Sequence, residues 1–194
     1  MATWGGHGLR GSTLEDMINR TNEAYRQNGL GLIQKVPTPI TPVEMNQSRQ
    51  IKLAYFEKKS TVDYIGAVQG IPVCFDAKEC AQDTFPLQNV HAHQLSFMQD
   101  FERQRGVSFL ILYYTHRDLF FYLPLRFLET FWQRMETGGR KSFKLEEMPE
   151  QFRVRRSGEY LCHYLEALDL DLRLREGMDA KEKKASSGEV EALR

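Results

Sequence analysis

The residues best placed to do chemistry lie in VDYIGAVQGIPVCFDAKE, residues 62–79. This stretch reads as two apolar strands around a turn, yet Asp63 opens the first strand and Asp76 and Lys78 interrupt the second. A two-residue turn at Gln69-Gly70 would fix an antiparallel register. That register sets Val68 opposite Ile71, and by the same count Asp63 opposite Asp76 and Thr61 opposite Lys78. Directly opposed residues share a face of the sheet, with Cβ atoms about 4.5–5.5 Å apart. Thr61, Asp63, Asp76 and Lys78 are therefore expected to converge. A slip of one residue would disperse them.

Two carboxylates that close repel each other, and burial raises the cost. One of them can be protonated, Lys78 can neutralise the pair, or a divalent cation can sit between them. A hard cation such as Mg²⁺ takes oxygen ligands, commonly one or two carboxylates plus waters and phosphate oxygens. Lys78 is a poor ligand beside such an ion and suits a phosphate oxygen or an attacking water. The plainer alternative is an ordinary ion pair or solvated edge charges. The order of elements around the hairpin decides how much weight the cation reading carries.

Ser12 and Thr13 can cap a helix that carries Leu14, Met17, Ile18 and Tyr25 at helical spacing and stops at Asn28-Gly29. Glu15 and Asp16 suit the first turn of that helix, where acids favour the dipole. Leu30 to Val36 reads as a strand, and VPTPITPV, residues 36–43, forces an extended chain unfit for a central sheet. Gln50 to Phe56 supplies a return strand, so a projecting hairpin is expected over about residues 37–58. After the hairpin of residues 62–79, the spacing predicts a helix over His91 to Arg105, capped by Asn89. Strands follow at Val107–Tyr114 and Leu119–Leu123, then a helix begun by Pro124 and a short last helix over Tyr160–Leu168. The order α-β-β-β-α-β predicts an α/β domain with a mixed central sheet, the setting in which D-x₁₂-D-x-K sites occur.

At 194 residues the chain fits one domain with appendages. Residues 1–11 read as a flexible N-terminal arm, 12–168 as the domain, and 169–194 as a polar, disordered tail. The formal net charge is zero, so any polyanion must be held by local basic patches. Such patches are candidates at Arg49, Lys52, Lys58 and Lys59, and between Arg126 and Arg156, where eight Lys/Arg face five Asp/Glu. Three cysteines suit a reducing interior, and a soluble cytoplasmic protein is expected. Cys74, Cys80, His91 and His93 lack a recognised zinc spacing, and no phosphate-binding glycine loop is present.

Over about residues 10–168 the chain resembles the RecU family of Holliday-junction resolvases, within the PD-(D/E)XK nuclease superfamily. The resemblance is carried by GSTLEDMINRTNEAY, KVPTPITPV, AYFEKKSTVDYIGAVQGIPVCFDAKE and FPLQNVHAHQ, in that order. It implies a restriction-endonuclease-like core and a homodimeric, Mg²⁺-dependent endonuclease that cuts four-way DNA junctions by paired symmetric hydrolysis, with Mn²⁺ as a candidate substitute. Recombination proteins are candidate further partners. Asp63 and Asp76 match the metal-binding acids, Thr61 and Gln94 match the other metal-site positions, and Lys78 matches the transition-state-stabilising lysine. The proline-containing hairpin matches the stalk that enters the junction. Asp76 stands where the family usually has glutamate, the tail has no counterpart, and Arg10 is the arm's one basic residue. Two other functions stay open: a nuclease of the same superfamily acting on linear duplex, and a weakly catalytic junction-binding or regulatory protein.

Overall fold

A seven-stranded sheet with helices on both faces forms the body of the computed structural model, which describes residues 13–37, 40–46, 50–56 and 61–191. Helix α1 (Thr13–Gln27) precedes strands β1 (Leu32–Lys35), β2 (Ile40–Met45), β3 (Ile51–Phe56), β4 (Tyr64–Val68), β5 (Ile71–Cys80) and β6 (Thr84–Pro86). Then come α2 (Ala92–Arg103), β7 (Val107–Tyr114), β8 (Leu119–Pro124), α3 (Leu125–Glu136) and β9 (Ser142–Lys144). The chain closes with β10 (Arg153–Ser157), β11 (Tyr160–His163) and α4 (Leu165–Glu191). The sheet order is β1-β4-β5-β7-β8-β10-β11, while β2 pairs with β3 and β6 with β9 in separate ribbons.

Only the β5–β7 pair is parallel within the large sheet, because α2 crosses over between the two strands. The neighbouring pairs are antiparallel, so the expected α/β class with a mixed central sheet is what forms. Gly66 lets β1 lie close against β4: a Cβ there would stand 2.2 Å from the Leu32 carbonyl oxygen.

Strand alternation sends side chains of β5 to two different cores. Val73 and Phe75 join Leu14, Ile18 and Tyr25 of α1 and Tyr164 and Leu168 near the start of α4. Cys74 faces the other way, with Leu110, Leu112, Leu95 and Met98 of α2, and Leu128 and Phe131 of α3. On the first face, rings stack across four strands, Tyr64 on Phe75, Phe75 on Phe109 and Phe109 on Tyr122, at centroid separations of 4.7, 4.7 and 4.2 Å. These aromatics are core, as their strand positions suggest.

The C-terminal region departs from expectation. Tyr160–His163 is a strand, paired with β10 around Gly158, whose φ of +57° suits the turn. The helix begins only at Leu165 and spans Leu165–Glu191. The first turns of this helix are held by a buried polar anchor that a count of apolar residues cannot register. Asp171 is fully buried, takes a hydrogen bond from Tyr122 Oη at 2.9 Å and pairs with Arg126 and Arg175. Arg175 also reaches Glu102 of α2 at 2.7 Å. The N-terminal arm lies outside the described residues, as do residues 38–39, 47–49 and 57–60 of the expected hairpin. Among the described residues no helix is long and apolar enough to cross a membrane.

Removing Asp171 would leave two guanidinium groups without their shared counterion in a partly buried site. Asp171→Ala is expected to lower the unfolding free energy by about 3 kcal/mol in urea titrations. A change below about 0.5 kcal/mol, the range of an ordinary surface substitution, would show that this anchor does not hold α4 down.

Candidate active site

The turn between β4 and β5 is the two-residue turn that the register required, with φ of +51° at Gln69 and +86° at Gly70. Both values belong to the turn type that matches the twist of paired strands. The ladder runs from Val68↔Ile71 to Tyr64↔Phe75. Beyond it, the carboxylates carry the pairing on. Asp63 N donates to Asp76 Oδ1 at 3.1 Å, and Ala77 N donates to Asp63 Oδ2 at 2.9 Å. Asp63 is thus fastened to β5 by its side chain and, through its carbonyl, accepts from Val36 N at 2.8 Å next to β1.

Asp76 is fully buried, on the face of the sheet covered by α2. Lys78, two residues on and on the same face, brings Nζ to 2.5 Å from Asp76 Oδ2. Gln94 reaches in from the first turn of α2, and its Nε2 donates to Asp76 Oδ1 at 3.0 Å. The structure therefore brings together Asp63, Asp76, Lys78 and Gln94. Thr61 is not brought in by the ladder, because β4 begins at Tyr64 and the expected Thr61–Lys78 pairing is not formed. Thr61 sits half-buried in a bend just upstream.

Glu15, a first-turn acid of α1, pairs with Lys35 of β1 at 2.8 Å. The acid that sequence reasoning missed is Glu79, whose Oε1 accepts from Leu14 N at 2.7 Å and so satisfies the start of α1. Parity was the available signal: Glu79 follows Lys78 and must face the opposite side of the sheet, where α1 packs. One strand thus holds Asp76 and Lys78 toward α2 and ties down α1 with the next residue.

The donor set fits a hard cation. Among the described residues no group of three His, Cys, Asp or Glu side chains converges. Two carboxylates completed by waters and phosphate oxygens are nevertheless what Mg²⁺ accepts. Asp76 Oδ2 is buried, and among the described residues it meets only the ammonium of Lys78. Burial first, and then the charge of Asp63, push the Asp76 carboxyl up to about 7 against the opposing pull of Lys78. A buried carboxyl group beside a second carboxylate is a place where added positive charge is favourable. Zinc is a poor match: Cys74 contacts Ser108 Oγ at 3.2 Å and Cys80 Sγ points to the Gln82 carbonyl at 3.0 Å. Burial also lifts the Cys74 thiol to about 12, far from a ligating thiolate.

The basic stretch from Arg126 to Arg156 is less available than its composition suggests. Arg126, Arg134, Arg140, Lys144, Arg153 and Arg156 each pair with a carboxylate. Lys141 and Arg155 are exposed. Arg49, Lys58 and Lys59 lie outside the described residues, and Lys52 is exposed on β3.

The raised Asp76 value carries a sign. The folded protein holds this proton more tightly than the unfolded chain, whose ordinary value is 3.8. Stability from this group is present below that value and is lost as pH rises through about 7. Without divalent cation, the wild type is expected to lose more stability than Asp76→Asn between about pH 5 and about pH 8. Urea midpoints in chelator measure this, and equal pH dependence in the two proteins would contradict it.

The model of the family described as "RecU: Recombination protein U" matches residues 9–170. A Holliday junction resolvase RecU of Pediococcus pentosaceus is 40% identical over 169 residues, covering 84% of this chain and 84% of that protein. The protein of the same name from Geobacillus sp. is 39% identical over 161 residues, covering 80% and 77%. That of Bacillus cereus strain B4264 is 36% identical over 167 residues, covering 83% and 84%. The solved structure of Archaeoglobus fulgidus Hjc, a Holliday junction resolvase, overlaps at a TM-score of 0.38 with 11% identity, over 60% of this chain and 78% of that one. That overlap is too low to bear on the fold. The family match spans the whole Asp63–Asp76–Lys78–Gln94 constellation and ends within α4, and on it the chain belongs to the RecU family.

Proposed function

We propose that this chain is a Holliday-junction resolvase, a divalent-metal-dependent endonuclease that cuts four-way DNA junctions in recombination and repair. The observation that carries the reading is the closure of Asp63 onto a fully buried Asp76 with Lys78 alongside, within a chain of the RecU family. The relatives named above are resolvases, and the matched residues include the site. In this reading the sheet is a restriction-endonuclease-like core and the β2–β3 ribbon is the stalk that enters the junction. Val43, Ile51, Leu53 and Tyr55 of that ribbon are exposed apolar residues, which suits contact with unstacked bases.

Asp63 and Asp76 would hold the cation, Mg²⁺ by preference with Mn²⁺ as a substitute, and Thr61 is the family's further metal-site position. When bound, the ion supplies Lewis-acid polarisation of the scissile phosphate and a more acidic water. Lys78 is held beside Asp76 and offsets negative charge that develops on the phosphoryl oxygens. Its ammonium would also orient the attacking water toward phosphorus. Asp63 is half-buried, and Ala77 N fastens one of its carboxylate oxygens to β5. Two such sites in a C2 homodimer supply the paired, symmetric cuts that resolution requires. The cytoplasm, where recombining DNA lies in a bacterium, is the expected place of action.

A mobile four-way junction and a linear duplex of the same sequence, each incubated with and without Mg²⁺, test this. The junction is expected to be nicked symmetrically only with Mg²⁺, and the duplex to stay intact. Cutting of linear duplex at a comparable rate would favour a general nuclease, and absence of any Mg²⁺-dependent cutting would favour a binding protein. Asp63→Ala, Asp76→Ala and Lys78→Ala are each expected to keep junction binding while cleavage falls by at least about 100-fold. Near-normal cleavage by any of the three would remove that residue from the mechanism.

A further inference from the structure

The amide of Gln94 is used at both ends, and this decides what the side chain can do. Gln94 is 5% exposed and occupies the first turn of α2. Its Oε1 accepts from His91 N at 3.1 Å, which satisfies a backbone donor at the entry to the helix. Its Nε2 donates to Asp76 Oδ1 at 3.0 Å. The orientation of the amide follows from chemistry. Turned over, its NH₂ would meet the His91 N–H, donor against donor, and its oxygen would meet a carboxylate, acceptor against acceptor. Both contacts would be lost, in a place where unpaired polar atoms are costly.

The same Asp76 oxygen also takes Asp63 N at 3.1 Å. Oδ1 is therefore engaged by two protein donors from the fold, whereas among the described residues Oδ2 meets only the Lys78 ammonium, 2.5 Å away. The division separates a structural oxygen from a chemical one on a single carboxylate. We propose that Gln94 is a positioning residue that clamps Asp76 Oδ1 to the first turn of α2 and leaves Oδ2 to the cation, rather than a metal ligand itself. This assignment rests on the reading of Asp63 and Asp76 as the cation-holding pair. It differs from what the family likeness implies for Gln94. The amide turns its nitrogen, not its oxygen, toward the Asp76 carboxylate, so giving that oxygen to an ion held there would require the amide to turn over and surrender both contacts. The clamp also couples the site to the fold, because α2 is fixed at its other end by Glu102, which accepts from Ser108 N at 3.0 Å and from Arg175 at 2.7 Å.

The test reads the Gln94 side-chain NH₂ and the His91 backbone amide by ¹H–¹⁵N NMR in the full chain, first in chelator and then through a Mg²⁺ titration. The clamp predicts that both signals are protected from solvent exchange without metal and remain so at saturation, while the Asp63 and Asp76 amides shift. In Asp76→Ala, protection of the Gln94 NH₂ is expected to be lost and that of the His91 amide retained. Loss of protection at both groups on adding Mg²⁺ to the wild type would mean the carbonyl has swung onto the ion, and would overturn the proposal. Should Mg²⁺ shift neither Asp63 nor Asp76, the metal reading itself fails. The clamp then stands or falls on the metal-free spectrum, with an unprotected Gln94 NH₂ counting against it. As a second readout, Gln94→Met is expected to raise the Mg²⁺ concentration for half-maximal cleavage about 10–100-fold, the usual effect of losing a group that orients a ligand. An unchanged Mg²⁺ requirement would also overturn the proposal.

Discussion

Because side chains alternate along a strand, the two-residue turn at Gln69-Gly70 determines which residues meet at the far end of its hairpin, and everything chemical in this chain depends on that register. With Val68 set against Ile71, Asp63 arrives at Asp76 and the two are linked by hydrogen bonds through their side chains and the neighbouring backbone. Shifted by one residue, Asp63 would leave that face, and the aromatic stack of Tyr64 on Phe75 would break with it. The core and the site therefore enforce the same alignment. A carboxylate pair whose closeness costs energy is held closed by apolar stacking on the opposite side of the sheet.

Burial then gives the pair its character. Asp76 lies beneath α2, where water cannot stabilise a charge, and three protein groups replace it: Asp63 N, Gln94 Nε2 and Lys78 Nζ. A short carboxylate can occupy this position because partners reach it, Gln94 from the helix and Lys78 from the same strand. Glu79 gives β5 a hold on its other face as well, where it secures the start of α1. Helices on both faces are thus attached to one strand within a few residues of the carboxylate pair.

Much of this is legible in the sequence because it depends on local rules. Strand period and turn chemistry place Asp63, Asp76 and Lys78, and the order of elements around them gives the mixed sheet. What is illegible depends on long-range polar contacts. Asp171 and Arg175 look like solvated helix charges until Arg126, Tyr122 and Glu102 are brought beside them from distant parts of the chain. Tyr160–His163 reads as the start of a helix until β10 supplies a partner strand. Composition also could not show that six of the eight basic residues between Arg126 and Arg156 pair with carboxylates. Thr61 departs for a subtler reason: the pairing rule holds, but the ladder stops at Tyr64 and the rule cannot be extended past its end.

The proposed seat of the reactive cation is between Asp63 and Asp76. Anomalous diffraction from a crystal of the chain grown with Mn²⁺ tests it most directly. A single strong peak is expected within about 2.0–2.3 Å of one oxygen from each carboxylate, with Lys78 adjacent but not coordinating. A peak elsewhere in the chain, or none between these two residues at saturating Mn²⁺, would contradict it.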